Sequence, residues 1–145
     1  MAPVFRLQQW PIQNLPGLTP EDLQKLQALE IHSTGDLLPY GRSPSQLRQL
    51  AHELHIPERF VRKWLALATL AQLPSVNCQY CGLLLHAGIT DLSQLAKTNT
   101  HRLHRHILRL QVATLTRRDL CPHPGIVGQW IQEAQRCQPN SPRTR

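Results

Sequence analysis

The chain has 145 residues, 41% of them hydrophobic and 17% charged, with a formal net charge of +7. That length suits one domain able to bury roughly 70% of the surface its unfolded form would expose, so no disulfide framework is required for stability. No stretch approaches the roughly 18 apolar residues a membrane span needs, and MAPVFRLQQWPIQN lacks the apolar core of a signal peptide, so a soluble cytoplasmic protein is expected.

β-Branched and aromatic runs of strand length are absent, and the predicted fold class is all-α. Residues 1–14 read as an N-terminal arm, with Trp10 expected to staple it to the structure that follows. Leu15-Pro16-Gly17-Leu18 is a tight apolar turn, Thr19 is a strong N-cap, Pro20 suits the first helical position, and Asp22 completes a capping-box spacing. The helix they open runs to about Glu30, with Leu23, Leu26 and Leu29 at helical spacing. A short helix is predicted over Thr34 to Leu38, ended by Pro39-Tyr40-Gly41. Ser43-Pro44 opens a helix through about Leu54, and Ile56-Pro57-Glu58 opens the helix that carries Trp64 and ends near Leu73-Pro74. The second half replays this order. Asn77 takes the cap position of Thr19, a helix runs to about Ala87 where Gly88 ends it, and a short helix follows near Asp91 to Ala96. Thr100 then caps a helix of about eleven residues, Arg117 to Gly125 forms an irregular link, and a helix bearing Trp130 closes the domain. The polar, proline-rich segment 138–145 is expected to be disordered.

This order reflects an internal repeat. Leu15–Leu38 aligns with Leu73–Ala96 without a gap at an offset of 58 residues, and Val61–Ala68 recurs as Val127–Ala134 at an offset of 66. A duplicated supersecondary unit cannot normally bury its apolar face alone, so the copies 15–73 and 74–137 should pack on each other as one compact body. Such a repeat suggests a binding scaffold before it suggests an active site.

The segments LPGLTPEDLQKLQALEI, HIPERFVRKWLALATLAQLP, HAGITDLSQLA and TRRDLCPHPGIVGQWIQEA lie between Trp10 and Arg136. Together they resemble the tandem helix-hairpin-helix family of unknown function that is common in cyanobacteria. The resemblance implies a bundle of two divergent helix-hairpin-helix repeats, each followed by a Trp-bearing helix. In DNA-binding members of the wider class, two glycines flank an apolar residue in the turn, so that backbone N–H groups can approach a phosphate. The matching turn positions here are Gly17, Leu18 and Thr19 in the first copy and Ser75, Val76 and Asn77 in the second. Only Gly17 keeps the glycine. Glu21 and Asp22 also place carboxylates where a phosphate would sit, so a packing role is favoured over phosphate capture in both turns.

Charge is unevenly held. Residues 1–73 carry seven Lys/Arg against six Asp/Glu, whereas residues 74–145 carry nine against three. Between Asp91 and Asp119 there is no acidic residue, and the interval holds Lys97, Arg102, Arg105, Arg109, Arg117 and Arg118 together with three histidines. On a helix, Leu103, Ile107 and Leu110 share one side, while Arg102, Arg105, His106 and Arg109 share nearly the opposite arc. A row of guanidinium groups of this kind can meet phosphates without an active site, although a solvated polar face has the same pattern. The interval has no interleaved aromatics of the sort that favour single strands.

Cys78-Gln79-Tyr80-Cys81 is a C-x-x-C motif, and Cys121 and His123 could supply two more zinc ligands. The repeat alignment instead matches Cys81 to the core position Leu23 and Cys78 to Pro20, so no metal and no cofactor are expected, and both act as small hydrophobes. A reactive Cys78 thiolate at a helix start is the competing reading. Trp64 and Trp130 are read as core wedges. No nucleophile-base pairing and no glycine-rich phosphate loop occurs, so enzyme activity and a small-molecule substrate are not expected. The preferred reading is a non-enzymatic helical module binding DNA or RNA weakly through its basic second half, and the alternative is an adaptor that binds an acidic protein.

Overall fold

Side-chain caps decide where most helices begin. The computed structural model describes residues 7–115 and 122–137. Thr19 Oγ1 accepts from the Asp22 N–H at 3.1 Å while Asp22 Oδ2 accepts from the Thr19 N–H at 3.1 Å, a capping box that launches α1 (Pro20–Ala28). Ser33 and Asp36 form a second box at α2 (Thr34–Leu37), which runs into a 3-10 turn over Leu38–Gly41. Ser43 caps α3 (Pro44–Leu54), and α4 (Glu58–Ala71) follows Pro57. After α5 (Asn77–His86), Asp91 caps α6 (Leu92–Ala96) by accepting from the Gln94 N–H at 2.7 Å. The last two elements are α7 (Thr100–Leu115) and α8 (Pro124–Arg136). Among the described residues there is no strand, and the one ladder-like contact is an isolated antiparallel bridge between Pro11 and Ser33. The all-α class is therefore observed.

Several local expectations change. Asn99, not Thr100, caps α7: its Oδ1 accepts from the Arg102 N–H at 3.1 Å, leaving Thr100 as the first helical residue. The helix is 16 residues long, so part of the extra length of the second half is helical and not in the link. Gly125 belongs to α8, whose start is capped by His123 Nδ1 accepting from the Gly125 N–H at 3.0 Å. Asn77, at φ 43°, begins α5 and keeps a capping role, its Oδ1 accepting from the Gln79 N–H at 2.8 Å, but it closes no capping box of the kind Thr19 forms with Asp22. The remainder of the link at 116–121 and the tail at 138–145 lie outside the described residues.

The predicted arm is woven into the fold from Gln8 onward. The Trp10 backbone bonds to Thr34 twice, its N–H donating to the side-chain Oγ1 at 3.0 Å and its carbonyl accepting from the Thr34 N–H at 2.8 Å. The Trp10 indole N–H reaches the Ala71 carbonyl at 2.7 Å, and Ile12 is fully buried. Trp10 thus ties residues 8–12 both to the start of α2 and to the end of α4.

The core is one apolar cluster shared by both halves. Leu15 and Leu73, Leu26 and Leu84, Ile31 and Ile89, and Leu37 and Leu95 are four pairs 58 residues apart, and every member is buried. At the offset of 66, Val61 and Val127, Trp64 and Trp130, Leu65 and Ile131, and Ala68 and Ala134 are buried as well. Each large member contributes roughly 1.5–3 kcal/mol by leaving water. Helix α4 packs against α2, α3 and α5, while α8 packs against α6 and α7. The long Trp-bearing helix of each half therefore lies on the short helix and the capped helix that precede it.

Candidate functional site

The basic row predicted from sequence lies on α7. Leu103 and Ile107 anchor this helix in the core and Leu110 is half-buried, which turns Arg102, Arg105, His106 and Arg109 to solvent. The three arginines form one wall of an open groove of about 360 Å³, whose other wall comes from Ala87 and Ile89 at the end of α5 and from Thr98. Arg102, Arg105 and Arg109 stand at i, i+3 and i+7, a row about 10 Å long at the helical rise, which spans roughly three nucleotide steps of a duplex strand. Among the described residues the ion pairs join Lys25 to Glu21, His32 to Glu30 and Arg62 to Glu58, and none involves these arginines. Lys97 is exposed at the C-terminal end of α6 and does not line the groove. Arg117 and Arg118 lie outside the described residues.

The two turns are built differently. Gly17 is exposed at φ 85°, a left-handed conformation that suits glycine, and the Nζ of Lys63 lies 3.9 Å from where a Cβ would stand. Leu18 is half-buried, and the Thr19 N–H is held by Asp22 inside the capping box. In the second turn all three N–H groups are used internally. Ser75 donates its N–H to Glu133 Oε1 at 3.1 Å and its hydroxyl to Glu133 Oε2 at 2.6 Å. The N–H groups of Val76 and Asn77 both donate to the Leu73 carbonyl, at 3.0 and 2.8 Å. The Ser75 carbonyl in turn accepts from the Trp130 indole at 3.1 Å. The second turn is thus saturated by α8, with a buried carboxylate where an external anion would have to stand.

Glu133 was not singled out from the sequence. The available signal was its position on the Trp130 side of α8, one turn from Trp130 and so on the same buried stripe.

Among the described residues the free cysteines are Cys78, Cys81 and Cys137. Burial holds the Cys78 thiol above its ordinary value, which runs against a reactive thiolate there. Cys81 is fully buried, and burial first, then the neighbouring Cys78, pushes its thiol up to about 12. Cys121 lies outside the described residues, and the imidazole of His123 is committed to its helix cap. Among the described residues no group of three or more His, Cys, Asp or Glu side chains is arranged to hold a metal ion.

The elements and this groove define an all-helical domain with an exposed arginine face. No helix among its described residues is long and apolar enough to cross a membrane. The chain belongs to the family described as a domain of unknown function (DUF4332), which residues 16–137 match. No curated protein and no solved structure matches the chain.

Proposed function

We propose that this chain is a cytoplasmic, non-enzymatic binding module made of two divergent helix-hairpin-helix units, 15–73 and 74–137, whose α7 face holds nucleic acid without sequence preference. The shared burial of residues 58 and 66 positions apart supports the duplication, because two unrelated helical segments would not bury matching side chains in the same order. The observation that carries the binding reading is the row of Arg102, Arg105 and Arg109 along one groove with no acidic partner among the described residues. Unneutralised guanidinium groups retain their full capacity to displace counterions from phosphates. Lys97, exposed at the C-terminal end of α6, and the further cations Arg117 and Arg118 are proposed to add phosphate contacts to those of the row. Contact falls on α7 and not on the hairpin turns, since Glu133 occupies the second turn and the first carries Glu21 and Asp22.

Three phosphate contacts give a slope of log K against log salt of about −2 to −3, since each contributes roughly −0.9 on duplex and −0.7 on single strands. Fluorescence anisotropy with a labelled duplex and a labelled single strand across a salt series measures it. Arg102→Gln, Arg105→Gln and Arg109→Gln together should flatten the slope and leave helicity unchanged. Absence of salt-sensitive binding by the wild-type chain at low ionic strength would overturn the reading and leave the acidic-protein adaptor in its place.

A further inference from the structure

A second groove, of about 660 Å³, is lined mainly by the first half of the molecule, with Leu85 and Thr90 from the second, and net charge per half gives no sign of it. Its rim carries four of the seven cations of residues 1–73, namely Arg42, Arg59, Arg62 and Lys63, all of them exposed. Its floor is aliphatic, formed by Leu47, Leu65, Ala66 and Leu85. Three of the cations belong to one stripe of α4, which continues through Ala66 and Thr69 and extends about 15 Å along the helix.

We propose that this groove binds an acidic amphipathic peptide segment of a partner protein, its aliphatic side chains on the floor and its carboxylates against the rim. The combination of cations and floor selects this occupant. A phosphate backbone has no aliphatic face to bury, and among the described residues no aromatic side chain lines the groove to stack a base. An amphipathic helix laid in a groove presents both features at once, with anchors at helical spacing and charges beside them. The rim is available for such a partner. The Arg62–Glu58 contact is an exposed i,i+4 pair at 3.4 Å, weak enough for another carboxylate to replace it, and the guanidinium of Arg59 is steadied 5.1 Å over the Phe60 ring. The fold itself does not call for these cations. At the offset of 66, Arg59, Arg62 and Lys63 correspond to Gly125, Gly128 and Gln129 on α8, which packs its core side equally well without them. This proposal is independent of nucleic-acid binding by α7.

The test uses the full chain and fluorescence anisotropy with a labelled synthetic peptide of roughly 14 residues, Leu at i, i+3, i+4 and i+7 spacing and Glu elsewhere. Polyglutamate of equal length serves as the electrostatic control. At about 0.15 M salt the amphipathic peptide should bind at least about ten-fold more tightly than polyglutamate. Arg59→Gln, Arg62→Gln and Lys63→Gln together should weaken it by about ten-fold or more, while the triple α7 variant should leave it within about two-fold. Circular dichroism checks that both triple variants stay folded. Equal binding of polyglutamate would reduce the groove to bulk charge, and loss of peptide binding in the α7 variant alone would put the peptide on the other face. Either result overturns the proposal. So does loss of oligonucleotide binding in the α4 variant with peptide binding intact, which would give the rim to nucleic acid.

Discussion

The turns at Leu15–Thr19 and Leu73–Asn77 occupy the same place in the sequence repeat, yet they are held by opposite means. The first is local: Gly17 takes the left-handed conformation, and Thr19 and Asp22 close a capping box within four residues. The second is tertiary. Its left-handed residue has moved to Asn77, and Ser75 is gripped by Glu133 and Trp130 from a helix more than 50 residues away. A turn that loses its glycine can keep its place by borrowing acceptors and donors from a distant helix, and it then ceases to offer free N–H groups to a ligand. The first turn remains exposed at Gly17 and Thr19, and the Thr19 N–H is held within its own capping box.

The largest test of this contrast is the pair of tryptophans. Trp130→Ala should lower stability by about 3–5 kcal/mol through cavity formation, and by more than Trp64→Ala, because it also strips the Ser75 carbonyl of its partner. Denaturant unfolding at 25 °C ranks them, and equal losses would mean the indole bond adds nothing to the second turn. Next comes Glu133→Ala, expected to cost about 2 kcal/mol since it leaves the Ser75 N–H and hydroxyl without acceptors in a half-buried place. Thr19→Ala, which removes a cap in the exposed turn, should cost about 1 kcal/mol. Adding Ser75→Ala to Glu133→Ala should cost little further, and a fully additive double variant would break the claim that the two residues act as a unit.

A smaller effect, of opposite sign, lies after the first helix. Glu30 at φ 65° and Gly88 at φ 92° are equivalent residues 58 positions apart, and both end a helix in the left-handed region. Glu30→Gly should therefore stabilise the protein by about 0.5–1 kcal/mol, with a raised melting temperature as the readout. Unchanged or lowered stability would show that the Glu30 side chain offsets its backbone strain.

The smallest effect concerns acid. Backbone hydrogen bonds from His32 and then Ser33 hold the Asp36 carboxyl below its ordinary value near 3.8, while Gln94 occupies the equivalent position in the second half and cannot titrate. A depressed carboxyl pKa contributes stability that is present above the ordinary value and lost as pH falls through the folded one. The stability gap between wild type and Asp36→Asn should shrink as pH is lowered from 6 to 2.5 in thermal melts, in keeping with that linkage. A gap that stays constant would show that Asp36 caps α2 without charge.

The helical class, the turn chemistry of the first half and the buried positions of the repeat were legible in the sequence because they follow from short-range rules. Thr19, Ser33 and Ser43 cap within three residues of themselves, and the apolar stripes of α4, α7 and α8 are set by helical periodicity alone. The exposed face of α7 could be drawn for the same reason, once Leu103 and Ile107 were assigned to the core. What only the tertiary structure decided depends on helices meeting from afar. Glu133 reaching Ser75, Trp10 reaching Ala71, and Arg42 brought to the rim shared with α4 are contacts between distant segments that no local pattern encodes. Counting charges by halves hid the α4 groove, because six acidic residues spread over the first half cancel cations that packing gathers onto one face. A net charge is a sum over sequence, whereas a binding surface depends on which side chains the core leaves facing the same water.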